Sequence, residues 1–162
     1  MLTYEQIIKK NLTLAEALKL LNPTFREKKK IVFTNGCFDI LHRGHVYYLS
    51  KAAELGDVLV VGLNSDASVT KLKGAGRPVN NQEARAEVLG ALAFVDYIIV
   101  FDEETPLDLI TALQPDLLVK GGDYTPEDII GYKEVISRGG RVVTIPLLEG
   151  YSSTSIIQKS KR

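Results

Sequence analysis

Thr34-Asn35-Gly36-Cys37-Phe38-Asp39-Ile40-Leu41-His42-Arg43-Gly44-His45 follows an apolar run, Ile31-Val32-Phe33, and leads into an apolar-periodic segment from Val46 to Leu55. The stretch predicts a strand over 31–35, a glycine-containing turn and a helix start. His42 and His45 are the only 2 histidines of the chain. With a helix beginning near Gly44, His42 falls in the loop before it and His45 in its first turn, so both rings can face one ligand. Free N–H groups at such a helix start attract an anion. Two imidazoles beside an anion site point to phosphate chemistry, in which donors must meet oxygens that gain charge in the transition state.

Outward from this stretch, apolar runs and helical patterns alternate. Further strands are expected at 57–63, 97–101, 116–120 and 141–145. Helices are expected at 45–56, 82–93 and 105–113, then from Thr125-Pro126-Glu127 to Gly139-Gly140, and a short one from Ser153. A long polar loop with Gly74, Gly76 and Pro78 fills 64–80. The alternation predicts a doubly wound α/β fold with a parallel five-stranded sheet, Rossmann-like, and right-handed connections. Ligands of such sheets bind beyond the carboxyl ends of the strands, where the strand order reverses. Polar clusters stand just after the expected strands: 34–45, Asn64-Ser65-Asp66, Lys120-Gly121-Gly122-Asp123 and Glu149 to Thr154. Ahead of the sheet, residues 1–30 read as an N-terminal helical extension, and 31–162 as the main unit. Thr3 with Gln6 and Thr13 with Glu16 spell capping boxes, and Asn22-Pro23 stops the apolar stripe of Leu14 to Leu21. Lys28 to Lys30 reads as a solvated charge run.

Composition narrows the function classes. A chain of 162 residues with 45% hydrophobic and 25% charged residues has the make-up of one ordinary globular domain. Net charge +0 argues against a nucleic-acid binder with a broad basic face. The single cysteine, Cys37, excludes an internal disulfide framework and fits a reducing cytoplasm. No stretch is long and apolar enough for a membrane span, and the N-terminus lacks the pattern of a signal peptide. A zinc site would need ligands beyond the histidine pair, and only Cys37 and Asp39 stand near, so no metal ligand set is assigned. Strand one is not followed by G-x-G-x-x-G, which counts against a dinucleotide fold.

His42-Arg43-Gly44-His45 resembles the HxGH signature of the nucleotidylyltransferase superfamily, and Glu149-Gly150-Tyr151-Ser152-Ser153-Thr154 is similar to its EGxST element. Val61 to Asp66, Lys71 to Val79 and Val119 to Tyr124 look most like the heptose 1-phosphate adenylyltransferases. That activity is often joined to a sugar kinase. No kinase sequence accompanies it here, so a stand-alone version is expected.

The resemblance implies attack of a sugar 1-phosphate on the α-phosphorus of ATP, with Mg²⁺ accompanying the nucleotide, giving a nucleotide-sugar and pyrophosphate. His42, His45 and Lys73 are the implied catalytic residues. Asn35, Gly36, Cys37, Phe38, Gly44, Arg85, Lys120, Gly121, Asp123, Ser152, Ser153 and Thr154 are implied at the nucleotide, with Cys37 a small buried residue rather than a nucleophile. Asp39, Lys71, Lys73 and Arg77 are implied at the acceptor, Lys73 ahead of Lys71. The implied partners are ATP and the sugar phosphate, with no nucleic acid and no membrane, and a homodimer or higher homo-oligomer. One alternative is a cytidylyltransferase acting on glycerol phosphate or a similar alcohol phosphate. Leu147, where those enzymes commonly carry arginine, counts against it. A non-catalytic nucleotide-binding module is the alternative of another class, for which the histidine pair would be superfluous.

Overall fold

The structure is a computed structural model and describes residues 1–160. Residues 161 and 162, the end of the unit expected over 31–162, lie outside the described residues. Five parallel strands form one sheet: β1 (Ile31–Gly36), β2 (Val58–Asn64), β3 (Tyr97–Phe101), β4 (Leu117–Gly121) and β5 (Arg141–Ile145). Their order is β3-β2-β1-β4-β5. The chain winds outward from β1 to one edge, then crosses to β4 and winds to the other. The order therefore reverses between β1 and β4, and the stretch after β1 sits at that crevice.

Both faces of the sheet are covered. In β1, Ile31 and Phe33 pack into one core cluster and Val32 into the other. In β2, Val58 and Val60 share the first cluster, and Leu59, Val61 and Leu63 the second. Side chains alternate across a strand, so a strand buried on both faces reads as continuously apolar. The second cluster includes Tyr48, Leu49 and Ala52 of α4 (Arg43–Ala53), and Ala86 and Leu89 of α6 (Gln82–Gly90). The first includes Leu109, Ile110 and Leu113 of α7 (Leu107–Leu113) and Val135 of α8 (Tyr132–Ser137).

Residues before β1 form three short helices, α1 (Tyr4–Ile8), α2 (Leu14–Leu20) and α3 (Pro23–Arg26). Both capping boxes form, at Thr3 and at Thr13. Between the first two helices the chain runs beside β3. Leu12 donates to the Ile98 carbonyl (2.9 Å), and Ile98 donates to the Lys10 carbonyl (2.9 Å). This pairing covers what would be a bare sheet edge. From α2, Ala17 and Leu21 enter the first core cluster, while Leu18 and Leu20 stay exposed.

Two local expectations are corrected. The segment expected as a loop over 64–80 contains a helix, α5 (Asp66–Lys73). Ser65 caps it by accepting from the Ser68 N–H (3.2 Å), and Val69 anchors it in the interior. The helix expected from Thr125 to Gly139 is broken into a 3₁₀ turn, Pro126–Asp128, and α8. Ile129 between them is buried, and Gly131 takes a positive φ of 91° against the Ile110 side chain, which a β-carbon would strike.

Candidate active site

A cavity of about 630 Å³ opens beyond the carboxyl ends of the strands, at the β1/β4 crevice. The turn after β1 forms its floor. Phe38 has a positive φ of 44°, a sparsely populated conformation for a side chain of its size, and its ring meets His45 edge-on at 5.1 Å. The helix start comes one residue earlier than the sequence indicates: α4 begins at Arg43, with His42 as its N-cap. His42 makes no side-chain cap, so the first N–H groups of the helix are left for a ligand.

The two imidazoles lie stacked, with centroids 3.8 Å apart and planes 20° from parallel. Gly44 makes this possible. A β-carbon there would lie 3.0 Å from His42 Cε1 and 3.2 Å from Tyr151 Cβ, so any larger residue would crowd the ring as it folds back over the helix start. Both Nδ1 atoms are buried without a hydrogen-bond partner among the described residues. A buried polar atom left unpaired is costly and calls for explanation. Burial lowers the pKa of His42. For His45, burial first and the neighbouring His42 second push it down to about 4, against a backbone contact at Ile40. Both rings are therefore neutral near pH 7. A phosphate arriving at the open edge of the rings would favour their protonated form.

Around the pair stand cations. Lys73 and Arg77 line one side, and Lys120 the crevice itself. Burial lowers the pKa of Lys120, and its one side-chain hydrogen bond among the described residues is a long 3.5 Å contact to Asn35 Oδ1. Opposite, α9 (Ser153–Ser160) presents Ser152, Ser153 and Thr154. The Ser152 hydroxyl accepts from the Ser155 N–H (3.0 Å), and Ser153 donates to the Ile40 carbonyl (3.2 Å), pinning this segment to the turn before His42.

Of the residues singled out from the sequence, the cavity brings together Asn35, Gly36, Cys37, Phe38, Asp39, His42, Gly44, His45, Lys73, Arg77, Lys120, Ser152, Ser153 and Thr154. It does not include Lys71, Arg85, Gly121 or Asp123. Lys71 and Lys73 end α5 two residues apart, about 200° around a helix, so only one can face inward. Asp123 points to solvent, and Gly121 lies behind Tyr48 and Leu147.

Arg85 needs a fuller correction. It is 2% exposed, and its side chain does not line the cavity. It donates from Nη1 to the Cys37 carbonyl (2.6 Å) and the Asn64 carbonyl (2.8 Å). It also donates from Nε to the Asn80 carbonyl (3.0 Å) and from Nη2 to Asp66 (2.8 Å). One guanidinium thus ties together the turn after β1, the end of β2, the start of α5 and the loop before α6.

Asp39 lines the cavity, but its carboxylate is already engaged. It accepts from Arg77 Nε (2.6 Å), the Val79 N–H (2.7 Å) and the Asn80 N–H (3.1 Å). Burial acts to raise its pKa, yet these hydrogen bonds outweigh it and hold the carboxyl below its ordinary range. Asp39 therefore anchors the 77–80 loop rather than awaiting a ligand. Among the described residues no group of three or more His, Cys, Asp or Glu side chains is placed to hold a metal ion. The residues present do not fit a protein-held Mg²⁺. Cys37 has its thiol pKa raised chiefly by burial, so it is no nucleophile at neutral pH.

Several lining residues carry no earlier assignment. Tyr48 donates to the Val119 carbonyl (3.1 Å) and accepts from the Thr34 hydroxyl (2.6 Å), joining α4 to β1 and β4. It lies three residues after His45, on the same helix face, which is the signal that could have found it. Glu104, Thr105 and Pro106 also line the cavity. They follow β3 as the other clusters follow their strands, and that position was the available cue.

A neutral imidazole pair at a helix start, ringed by lysines at the switch point of a parallel sheet, is the apparatus of a nucleotidyl-transferring α/β enzyme. The cytidylyltransferase-like family model matches residues 33–159, and the chain belongs to that family. Over 134 residues it is 59% identical to the bifunctional protein HldE of Syntrophotalea carbinolica, covering 83% of this chain and 27% of that protein. Over 131 residues it is 60% identical to the bifunctional protein HldE of Geotalea uraniireducens, covering 81% and 27%. The chain thus spans about a quarter of the length of these relatives. The lipopolysaccharide core biosynthesis protein of Thermoplasma volcanium matches with TM-score 0.60 at 25% identity, over 76% of this chain and 99% of that one. Pantothenate synthetase of Thermus thermophilus, at TM-score 0.61 and 16% identity over 93% and 70%, shares the fold alone. No helix among the described residues is long and apolar enough to cross a membrane.

Proposed function

We propose that the chain transfers the AMP moiety of ATP to a heptose 1-phosphate, releasing pyrophosphate and an ADP-heptose of lipopolysaccharide core synthesis. The observation that carries the reading is the stacked imidazole pair at the start of α4, with both Nδ1 atoms buried and without a partner among the described residues. The relatives named HldE, and the likeness of 61–66, 71–79 and 119–124 to heptose 1-phosphate adenylyltransferases, support the choice of base and acceptor.

In the reaction an oxygen of the acceptor phosphate forms a bond to the α-phosphorus. The bond from that phosphorus to the oxygen bridging to the β-phosphate breaks, and pyrophosphate leaves with the electron pair. No enzyme-bound intermediate is needed. His42 and His45 donate to the phosphate oxygens as charge moves onto the leaving pyrophosphate, with the helix N–H groups behind them. Lys73 holds the acceptor phosphate beside the reacting centre, and positioning supplies much of the acceleration. Mg²⁺ belongs to this reading as the nucleotide's own counter-ion. A cytoplasmic setting and a homodimer or higher homo-oligomer complete it.

The test is pyrophosphate release from each nucleoside triphosphate, with and without heptose 1-phosphate or glycerol phosphate. Release that requires ATP and the sugar phosphate is expected. Release with CTP and glycerol phosphate alone would replace this reading with the cytidylyltransferase. Tight nucleotide binding without release from any pair would make the chain a binding module.

A further inference from the structure

Within the sheet, β1 and β4 part early. β1 pairs with β2 from Ile31–Val58 to Gly36–Leu63, and β4 with β5 from Leu117–Arg141 to Gly121–Ile145. Between β1 and β4 the pairing spans only Val32–Leu117 and Phe33–Leu118. Toward the site, the two strands keep their outer partners and lose each other. In the next register, Thr34 and Val119 are joined by a side chain from α4. The Tyr48 phenol donates to the Val119 carbonyl (3.1 Å) and accepts from the Thr34 hydroxyl (2.6 Å). Among the described residues no other α4 side chain hydrogen-bonds to either strand. One register further stand Asn35 and Lys120, with Oδ1 and Nζ 3.5 Å apart, both lining the cavity.

The phenol is firmly seated. Tyr48 is buried, and its ring lies against Gly121, where a β-carbon would come within 3.2 Å of Tyr48 Cε2. Burial pushes its pKa up to about 12, with the Thr34 hydrogen bond acting the other way, so the phenol stays a neutral donor. The consequence is positional. His45 rides on α4 one turn before Tyr48, Asn35 on β1 and Lys120 on β4. Beyond Phe33 and Leu118 no strand pairing holds β1 and β4 at a fixed spacing. A displacement of about 1 Å between reacting groups can cost roughly a hundredfold in rate.

We propose that Tyr48 is a positioning residue: its hydroxyl spans the first register at which β1 and β4 stop pairing, sets the width of the crevice, and so fixes the reach from the imidazoles on α4 to Lys120 on β4. Without that oxygen the strands part beyond Phe33 and Leu118, and water enters around the Lys120 ammonium.

The experiment compares Tyr48→Phe, which keeps the ring and removes the hydroxyl, with Val135→Ala, which weakens the first core cluster on the other face of the sheet. Pyrophosphate release gives kcat, calorimetry the ATP affinity, urea melts the stability, and ¹³C titration of labelled lysine the pKa of Lys120. In Tyr48→Phe, kcat is expected to fall about tenfold or more while ATP affinity stays within about threefold. The Lys120 pKa, lowered by burial in the wild type, is expected to rise toward the ordinary lysine range. Val135→Ala is expected to lose at least as much stability, with kcat within about twofold and Lys120 unchanged. A wild-type kcat in Tyr48→Phe would overturn the proposal. So would equal falls of kcat in the two variants, which would leave Tyr48 a contact that only stabilises the fold. Should Tyr48→Phe not fold, Thr34→Val decides, since it cuts the tie to β1 alone. A fall in kcat of about fivefold or more there upholds the proposal, and an unchanged rate overturns it. The kcat comparison rests on the adenylyltransferase reading, and the Lys120 titration does not. A wild type that releases no pyrophosphate, with a Lys120 pKa that rises in Tyr48→Phe and not in Val135→Ala, would sink that reading and uphold the positioning role.

Discussion

Replacing Arg85 by Met tests whether this arginine braces the site or touches the nucleotide. The substitution keeps a long apolar stem and removes every donor. Three carbonyls, of Cys37, Asn64 and Asn80, lose a charged partner at 2.6, 2.8 and 3.0 Å. Each buried acceptor left unsatisfied costs about 1–3 kcal/mol. The fourth bond goes to Asp66, whose side chain is 42% exposed, so solvent screening leaves it worth about 1 kcal/mol or less. Taking the low end for each carbonyl, with the Asp66 bond added, gives a loss of about 3–4 kcal/mol, a large share of a domain's usual ~5–15 kcal/mol. For a chain of this size that is a fall in Tm of about 6–16 °C. Chemical denaturation and calorimetry of Arg85→Met, with Asp66→Asn as the comparison, make the measurement. Asp66→Asn should lose about 1 kcal/mol at most. The reasoning is refuted if Arg85→Met is no less stable than Asp66→Asn. A nucleotide contact would give the reverse pattern, with stability kept and ATP affinity lost.

Three further outcomes follow from the same geometry. The depressed pKa of His45, about 4 in the fold against the ordinary 6.5, means that the unfolded chain binds the extra proton between those values. Stability fully present above about pH 6.5 is lost as pH falls toward 4, by about 2–3 kcal/mol at pH 4.5. Urea melts at pH 7.5 and 4.5 should show this loss, smaller in His45→Gln; an equal loss in the variant would refute it. Asp39→Asn should free the 77–80 loop and lower stability by about 1–3 kcal/mol, read in the same melts, with proteolysis appearing near Arg77. Lys73→Ala should raise the acceptor KM about tenfold or more in steady-state pyrophosphate release, with Lys71→Ala near wild type. Equal effects of the two lysines would contradict the helical placement of α5.

The sheet was legible because its signal is simple. Strands buried on both faces are apolar runs, and those at 97–101 and 141–145 match β3 and β5 residue for residue. The switch point followed from the winding and located the histidine turn. What escaped has a physical pattern. Asn64-Ser65-Asp66 reads equally as a binding cluster and as a helix cap, and only the burial of Val69 decides for the cap. Arg85 looked like a site cation because sequence cannot reveal that four acceptors from distant segments converge on it. The resemblance implies Asp39 at the acceptor, and sequence cannot show that its carboxylate is engaged, because its hydrogen bonds come from residues about 40 positions along the chain. The break at Ile129 is tertiary too, since a cap, a proline and an acid announce a helix that core packing then interrupts.

The central claim is that the stacked imidazoles at the β1/β4 crevice carry nucleotidyl transfer. Its most direct test is the kcat of pyrophosphate release for His42→Ala at saturating ATP and heptose 1-phosphate. Loss of a transition-state donor predicts a fall of about a hundredfold or more, with an unchanged circular dichroism spectrum. A rate within a few-fold of wild type would contradict the account.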